Sequence, residues 1–323
     1  MNRVSNNIRH HDHDTPSSWL VRLFVFIILA SLCFTCAYAD GGVSDTHPYP
    51  RSITDDQKVT VTLTTAPVRI ISLAPSDTEI LFALGLEDRI IGVTDYCNYP
   101  VQATQKEKVG GFSTVSIEKV AALSPDLVVA ADGNNPDTVD RIRSMGIPVY
   151  YTDAQSMSDI QKTLENIGYL TSVSDQAEKL NDELSQRSEQ VQIQGEKLIQ
   201  HPSVAHVIWN DPIYVSGSGT FQDELIRISG GVNAFGDKDG HQIASIEEFI
   251  SRDPDILLIN AGSGMGGNSS EISAYFRSEP RLSGLTAIKQ NHVVIVDTDI
   301  ADRAGPRLWD MLEQIAPSIR AIG

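Results

Sequence analysis

The stretch SIEKVAALSPDLVVA, residues 116–130, recurs in altered form as SIEEFISRDPDILLI, residues 245–259. Each copy begins with Ser-Ile-Glu, continues through an amphipathic segment, and reaches Pro-Asp followed by an apolar run. Such an apolar run is typical of a strand that is buried on both faces of a parallel sheet. The repeat therefore predicts two similar halves, each built around an equivalent helix–strand unit.

Alternating strand and helix patterns extend outward from both copies. The first copy is preceded by the run VRIISLAP (68–75), a helical pattern in SDTEILFALGL, and the run RIIGVT (89–94). Ser76 and Glu79 have the spacing of a capping box, and Gly85 is placed to end that helix. The second half repeats the alternation in SVAHVIWN (203–210), FQDELIRISG (221–230) and HVVIVD (292–297). This order predicts an α/β fold of two Rossmann-like lobes with parallel sheets.

The segment between the halves has a helical pattern only. From Ser174 to Ile199 the apolar residues recur at helical spacing and form one stripe: Ala177, Leu180, Leu184, Val191 and Leu198. The predicted organisation is a first α/β lobe at 67–173, a linker helix at 174–200 and a second α/β lobe at 201–323. Residues 40–66 are rich in Thr, Asp, Gly and Pro, and we expect a tether there with a short strand at KVTVTLTT.

The N-terminus has the pattern of a targeting segment. Arg9 and Arg22 precede the apolar core LFVFIILA, and Ala37-Tyr38-Ala39 supplies a cleavage site of small residues. Residues 1–39 are therefore interpreted as an export signal or, alternatively, an uncleaved N-terminal anchor, which places the protein in the periplasm or at the cell surface. Cys33 and Cys36 lack the small preceding residues of a lipoprotein site. Cleavage would leave Cys97 as the single cysteine, with no partner for an internal disulfide.

Composition and motif spacing exclude several classes of function. The chain has 323 residues, is 41% hydrophobic and has a net charge of -17, whereas a nucleic-acid-binding protein needs a basic surface. The histidines of the second half do not have metal-ligand spacing: His201, His206, His241 and His292. No nucleophile–base pair is apparent, so an exported α/β enzyme is the less favoured class.

The glutamate that recurs with the repeat has two interpretations. Glu118 and Glu247 would lie in the first turn of their helices, where the helix dipole favours a carboxylate. A capping box would instead use the next residue, Lys119 in one copy and Glu248 in the other. Two matched and exposed acids also suit docking onto a two-fold symmetric partner. From the pattern alone, the dipole interpretation remains the favoured one.

Four stretches resemble one family: RIISLAPSDTEILFALGLEDRIIGVTDYCNYP, VGGFSTVSIEKVAALSPDLVVA, YVSGSGTFQDELIRISGGVNAF and DRAGPRLW. They look like the helical-linker class of solute-binding proteins of ABC importers, most of all its cobalamin-binding members, over residues 67–318. The resemblance implies a ligand cleft between two lobes that one long helix joins. It implies capture of a corrinoid or, alternatively, of a ferric siderophore or haem, without a cofactor of the protein's own.

The resemblance also implies partners and site residues. The partners are a permease dimer with its ATPase subunits, and Glu118 and Glu247 match the acids that meet permease arginines. Tyr96, Phe112 and Tyr214 match aromatic residues of the cleft, and Arg303 matches an arginine that can bond ligand amides or carboxylates.

Two positions depart from the cobalamin-binding pattern. His241 and Ala131 stand where large aromatic residues are expected, which predicts a smaller and more polar cleft. His241 is either a surface histidine or an axial ligand to bound cobalt or iron.

Overall fold

The computed structural model describes residues 47–262 and 270–323. The predicted export signal at 1–39 lies outside these residues. The described part contains the following strands and α-helices, in chain order: β1 (Arg51–Thr54), β2 (Thr60–Leu63), β3 (Ile70–Ser72), α1 (Pro75–Ala83), β4 (Ile90–Val93), β5 (Glu107–Lys108), α2 (Ile117–Ala122), β6 (Leu127–Ala131), α3 (Pro136–Ser144), β7 (Val149–Thr152), α4 (Met157–Thr171), α5 (Ser174–Gly195), β8 (Ser203–Asn210), β9 (Ile213–Ser216), α6 (Phe221–Ile228), β10 (Val232–Asn233), β11 (His241–Ile243), α7 (Ile246–Arg252), β12 (Ile256–Ala261), α8 (Ser270–Ser278), α9 (Thr286–Lys289), β13 (Val293–Asp297), α10 (Thr298–Ala301) and α11 (Leu308–Arg320).

The first sheet is parallel throughout. Its strand order is β5-β4-β3-β6-β7, and every neighbouring pair runs in the same direction. All five residues of β6 are buried, because helices cover both faces of such a sheet. We call the part of the chain around this sheet, residues 70–171, the first lobe. The parallel α/β prediction is confirmed here.

The second sheet is mixed. Its order is β11-β9-β8-β12-β13, with β10 also paired to β8. The pairs β8–β12 and β12–β13 are parallel, whereas β9 runs antiparallel to both β8 and β11. Only Asp211 and Pro212 separate β8 from β9, and a two-residue connection permits a hairpin but not a parallel crossover. We call residues 203–320, around this sheet, the second lobe. The prediction of a parallel sheet is wrong at the end formed by β9 and β11, where the strands are antiparallel.

The helix α5 follows the first sheet and precedes the second, as predicted. It packs against α4 and α11, and it buries Ala177, Leu184 and Val191 of the predicted stripe. A single hydrophobic cluster contains these residues together with Leu127 of the first lobe and Leu258 of the second. The lobes are therefore joined by a shared core as well as by the helix.

The helix ends at Gly195, before the predicted end at residue 200. A Cβ atom added at Gly195 would lie 2.8 Å from the backbone nitrogen of Gly230, so this close approach requires glycine.

The predicted tether at 40–66 differs from the structure in its second part. Residues 51–54 and 60–63 form an antiparallel hairpin, and Val61 and Leu63 are buried in the shared core. Asp55 at its turn bonds Arg143 at 2.7 Å, and the Tyr49 hydroxyl donates to the Leu170 carbonyl at 2.8 Å. The short strand expected at KVTVTLTT is present as β2, and its alternating residues Val61 and Leu63 anchor this segment to the first lobe.

The predicted capping box at Ser76 and Glu79 is wrong. Helix α1 begins at Pro75, its N-cap is Ala74, and that residue makes no side-chain cap. Proline suits the first helical position because it lacks the N–H that would need a partner, so the helix starts two residues earlier than the predicted box requires. Glu79 is thereby turned into the interior, where it is 4% exposed.

Among the described residues, no helix has the length and apolarity needed to cross a membrane.

Candidate functional site

The repeated serines are helix caps in both lobes. Ser116 Oγ accepts a hydrogen bond from the Lys119 backbone N–H at 3.3 Å, and Ser245 Oγ accepts one from the Glu248 N–H at 3.1 Å. The side-chain oxygen satisfies one of the N–H groups that a helix start leaves unpaired. The capping-box position is thus that of Lys119 and Glu248, and Glu118 and Glu247 lie one residue before it, as predicted.

The repeated Pro-Asp pairs tie each unit to the neighbouring strand. The Asp126 carboxylate accepts from the backbone N–H groups of Val68 and Arg69, both at 2.9 Å, just before β3. Asp255 Oδ2 accepts from the Ser203 N–H at 2.8 Å, where β8 begins. The repeat thus specifies a helix cap and a strand-to-strand link in each lobe.

The repeated glutamates have neither of these structural roles. Glu118 is exposed, and its Oε2 accepts from the Ser116 hydroxyl at 3.0 Å. Its own backbone N–H and that hydroxyl lower the pKa of Glu118 below the usual value, so the side chain is an anion at neutral pH. The Glu247 side chain is 77% exposed, and its closest cation is Arg281 at 3.9 Å. Both acids are available at equivalent points of the two lobes.

A cavity of about 290 Å³ lies between the lobes. Residues that end or follow β6 and β7 line it, together with the start of α1, Phe221 of α6 and Asp302–Ala304. These positions are at the carboxyl ends of the parallel strands of the first lobe, where open α/β sheets usually bind ligands. The volume is at the small end of the roughly 300–1,000 Å³ that is typical of ligand sites, so a macrocyclic chelate would place only part of its structure there.

Four aspartates line this cavity: Asp77, Asp132, Asp153 and Asp302. Burial raises the pKa of Asp77 to about 7, although the Thr152 hydroxyl bonds it and opposes that rise. Burial likewise raises the pKa of Asp302 to about 6, against the hydrogen bond from Asn260. Acidic side chains thus dominate the polar surface of the cavity.

The predicted ligand arginine, Arg303, lines the cavity but is engaged by the protein. Its Nη1 donates to Glu79 Oε1 at 3.1 Å and to Asn98 Oδ1 at 2.7 Å, and its Nη2 lies 2.7 Å from Asp299 Oδ1. Arg307 bonds the same Glu79 carboxylate through Nε at 2.9 Å. This network connects helix α1 of the first lobe with the segment before α11 in the second.

Phe112 also lines the cavity, and the loop after β6 fixes its position. A Cβ atom added at Gly133 would lie 2.5 Å from the Phe112 ring, and Gly133 has a φ of +90°. The Asn134 side chain donates to the Phe112 carbonyl at 2.7 Å and to the Leu73 carbonyl at 3.0 Å. Gly133 therefore leaves the space into which Phe112 packs.

The other three predicted site residues lie outside the cavity lining. Tyr96 is 46% exposed. Its ring lies beside Gly111, which belongs to the loop that carries Phe112. Tyr214 is on β9 and His241 begins β11. These two strands form the antiparallel end of the second sheet, with β11 at its edge, so the structure does not gather all five residues in one place.

A buried chain of hydrogen bonds leads from His241 to the cavity wall. His241 Nδ1 is 3.3 Å from Ser216 Oγ, which is 2.8 Å from His206 Nδ1. His206 Nε2 is 2.8 Å from Asn260 Oδ1, and Asn260 Nδ2 donates to Asp302 Oδ2 at 2.8 Å.

These hydrogen bonds determine which nitrogen of the His241 ring has the lone pair. Asn260 donates to Asp302, so its Oδ1 accepts and His206 Nε2 must be the donor. Burial lowers the pKa of His206 to about 4, so its neutral ring accepts from the Ser216 hydroxyl at Nδ1. Ser216 Oγ then accepts from His241 Nδ1. Loss of hydration also lowers the pKa of His241, and its neutral ring therefore has an unprotonated Nε2.

The fold agrees with comparisons to known proteins. The family model described as periplasmic binding protein matches residues 70–300. The chain belongs to this family. The substrate-binding lipoprotein YvrC of Bacillus subtilis, an uncharacterised ABC transporter component, is 31% identical over 309 residues, which cover 93% of this chain and 96% of the relative.

Two further relatives have names that state a ligand. The vitamin B12-binding protein of Vibrio cholerae is 28% identical over 254 residues, which cover 78% of this chain and 89% of that protein. The haem-binding protein RhuT of Roseiflexus sp. RS-1, in its apo form, superposes with a TM-score of 0.70 at 25% identity and covers 78% of this chain and 98% of that one.

This periplasmic binding protein is thus a substrate-binding protein of the ABC importer type, and the prediction that it is not an enzyme is confirmed by its relatives. In the described ranges, no three His, Cys, Asp or Glu side chains are grouped so that they could hold a metal ion. The sole described cysteine, Cys97, is buried and unoxidised.

The sequence interpretation missed several residues of the site. Asp77 and Glu79 were assigned to a helix start, although they directly follow a buried strand, at the edge of the sheet where ligands bind. Asn98 and Asp302 lie within stretches that carry the family resemblance but were not identified as site residues, because their partners Arg303 and Asn260 are distant in the sequence. Asp299 pairs with Arg303 four residues later and was missed as well.

Proposed function

We propose that this periplasmic binding protein captures a corrinoid outside the cytoplasm and delivers it to an ABC importer. The observation that carries the proposal is the cavity between the lobes, with its acidic lining and with Arg303 bonded to Glu79, Asn98 and Asp299. A corrinoid has neutral carboxamide arms that donate N–H groups, which suits carboxylate acceptors. The similarity to a vitamin B12-binding protein supports the same ligand class.

Haem and ferric siderophores are the alternative ligands of the same importer class. A similar structure is that of a haem-binding protein. Haem has two carboxylate arms, however, and four aspartates at the cavity would repel them while Arg303 is already paired. The charge of the cavity therefore favours a neutral or cationic chelate over haem.

The proposal includes Tyr96, Phe112, Tyr214 and His241 as ligand contacts around a more open cleft. His241 Nε2, with its lone pair exposed, would be the atom that reaches cobalt or iron. The hydrogen bond from Nδ1 to Ser216 would orient the ring for that contact, as second-shell partners do for metal-bound histidines.

Glu118 and Glu247 are proposed to dock the two lobes on the two permease subunits of the importer. Both are exposed, and in each copy the other repeated residues have a structural role that the glutamate lacks. Paired acids at equivalent points match a partner with two-fold symmetry, and charge complementarity would set their register.

Export is part of the proposal. Residues 1–39 would direct the chain out of the cytoplasm, either as a cleaved signal or as a retained anchor. The relatives are periplasmic or lipoprotein substrate-binding proteins, which supports an extracytoplasmic location.

Calorimetric titration of the purified protein with cyanocobalamin, haemin and a ferric hydroxamate chelate tests the ligand. We expect one-to-one binding that is tightest for the corrinoid and weakened by Phe112→Ala and by Tyr214→Ala. Met145→Ala is a matched control, because Met145 is exposed and directly follows α3, at the amino end of β7. Binding of haemin alone would transfer the assignment to haem.

An absorbance spectrum of the complex with aquocobalamin tests His241. Ligation by imidazole nitrogen shifts the spectrum, and the shift should be lost in His241→Ala. An identical spectrum in both proteins would make His241 a surface residue.

A further inference from the structure

One carboxylate oxygen in the cavity wall lacks a hydrogen-bond partner among the described residues. Asp77 lies in the first turn of α1, lines the cavity and is 1% exposed. Its Oδ1 accepts from the Thr152 hydroxyl at 2.9 Å, whereas its buried Oδ2 has no partner in the described part of the chain. Because Thr152 occupies one oxygen, the other remains for a bound molecule.

Such an oxygen is unusual in a folded interior. Nearly all buried polar atoms are paired, because a lost hydrogen bond to water is not otherwise replaced. An unpaired acceptor in the wall of a ligand cavity indicates a donor that arrives with the ligand. The cost of leaving it unpaired in the empty protein is recovered when that donor binds.

The surroundings restrict the donor to a group that is neutral or positive. Asp132, Asp153 and Asp302 line the same cavity, so a second acid from the ligand would be repelled. Among the described residues, Arg303 is the one cation in the lining, and it is bonded to acids of the protein. Ile80, Phe112 and Phe221 supply apolar walls around the group.

We propose that Asp77 is a specificity residue that accepts a hydrogen bond from an N–H group of the solute, an amide or an ammonium. This inference rests on the proposed function of solute capture. It extends that function by assigning one arm of the solute to a subsite formed by Asp77 and Thr152. The subsite selects chelates with nitrogen-bearing arms over chelates with carboxylate arms.

The test uses the full chain and three probes. Cyanocobalamin has carboxamide arms, the dicyano form of cobyrinic acid has carboxylate arms on the same ring, and ferrioxamine B is a ferric chelate with one ammonium group. The variants are Asp77→Leu, Asp77→Asn and, as a control, Asp140→Asn, since Asp140 is exposed on α3 and does not line the cavity.

We expect the native protein to bind the amide probe at least about tenfold more tightly than the carboxylate probe. Asp77→Leu should reduce that preference to about threefold or less, because it removes the acceptor and its charge. Asp140→Asn should retain the native preference.

A second readout is specific to the carboxylate. Titrations near pH 7 in two buffers of different ionisation enthalpy count the protons that are released on binding. Burial raises the pKa of Asp77 to about 7, so an N–H donor that stabilises the anion should expel a fraction of a proton. Asp77→Asn should abolish this release, and that result decides the test if the leucine variant does not fold.

The outcomes distinguish the inference from the function on which it rests. Tighter binding of ferrioxamine B than of the corrinoid, with the same dependence on Asp77, supports the subsite and shows that it accepts an N–H group, amide or ammonium, of a chelate without a corrin ring. Native preference and native proton release in both Asp77 variants overturn the subsite and leave corrinoid capture standing. Failure of the native protein to bind any of the three probes overturns both.

Discussion

The two lobes contain the same helix–strand unit but differ at the edges of their sheets. Ser116 and Ser245 cap equivalent helices, and Asp126 and Asp255 fix equivalent strands. In the first lobe, the chain leaves β3 through helix α1 and returns in a parallel strand. In the second lobe, it leaves β8 through a hairpin, so antiparallel strands lie at that edge.

This difference determines how each lobe contributes to the candidate site. Phe112 and Asp132 of the first lobe come from loops beyond parallel strands, and both line the cavity. Tyr214 and His241 of the second lobe come from the antiparallel edge and lie outside the lining. A duplicated unit can therefore conserve its internal hydrogen bonds while its connections create two unlike binding surfaces.

The comparison is sharpest for the repeated glutamates, where we expect the largest effect. Combined Glu118→Lys and Glu247→Lys should abolish uptake, because both docking charges are reversed, and should leave ligand affinity unchanged. Each single variant should impair uptake to a similar extent if the lobes are equivalent. Transport assays in cells and titrations of the purified variants measure the two quantities. A large fall in affinity would place these residues in the cleft instead.

The next largest effect is expected for the network that links the lobes. Glu79→Ala would leave Arg303 and Arg307 without their shared partner at side-chain exposures of 11% and 13%. Removal of one partner from such a buried network typically costs about 3–5 kcal/mol. Urea unfolding should show a loss of this size, whereas the exposed Glu87→Ala should change stability little. Equal curves for the two variants would mean that the network does not hold the lobes.

One buried group in each lobe should also make the stability of the protein depend on pH, with opposite signs in the two lobes. The pKa of Asp77 in the folded state is raised from 3.8 to about 7, so its stabilisation is present below pH 3.8 and is lost as pH rises to about 7. The pKa of His206 is lowered from 6.5 to about 4, so its stabilisation is present above pH 6.5 and is lost as pH falls to about 4.

Each effect has an upper limit of about 3–4 kcal/mol, at 1.36 kcal/mol for each pH unit between the two values. Asp77→Asn should remove the loss of stability that occurs as pH rises, and His206→Gln should remove the loss of stability that occurs as pH falls. Thermal unfolding from pH 4 to pH 8 measures both. Unchanged slopes in the variants would show that other groups control the pH dependence.

The smallest expected effects compare the strand links. Asp126→Ala removes two backbone hydrogen bonds and Asp255→Ala removes one. Hydrogen bonds to a charged group contribute about 1.5–3 kcal/mol, so we expect the first variant to lose more stability. Chemical unfolding of both variants tests this order, and the reverse order would show that the copies are not equivalent.

Prediction from sequence succeeded where a structure depends on neighbours along the chain. The Ser116 and Ser245 caps, the buried strand β6 and the apolar stripe of α5 each follow from local spacing. Prediction failed where one local pattern was compatible with two structures. Ser76 and Glu79 have capping-box spacing, but Pro75 begins the helix and Glu79 finds its partners more than 200 residues later, at Arg303 and Arg307.

The sequence alone determined the α/β class and the repeated unit, because hydrophobic periodicity and capping are local properties, and four of its stretches carry the resemblance to a binding-protein family. Only the tertiary structure decided that Asp77 has an unpaired oxygen in the cavity and that Arg303 is already neutralised. It also decided that His241 ends a buried hydrogen-bond chain. The charge and hydrogen bonding of a site depend on groups that the fold brings together from distant parts of the chain, and the order of residues does not specify those contacts.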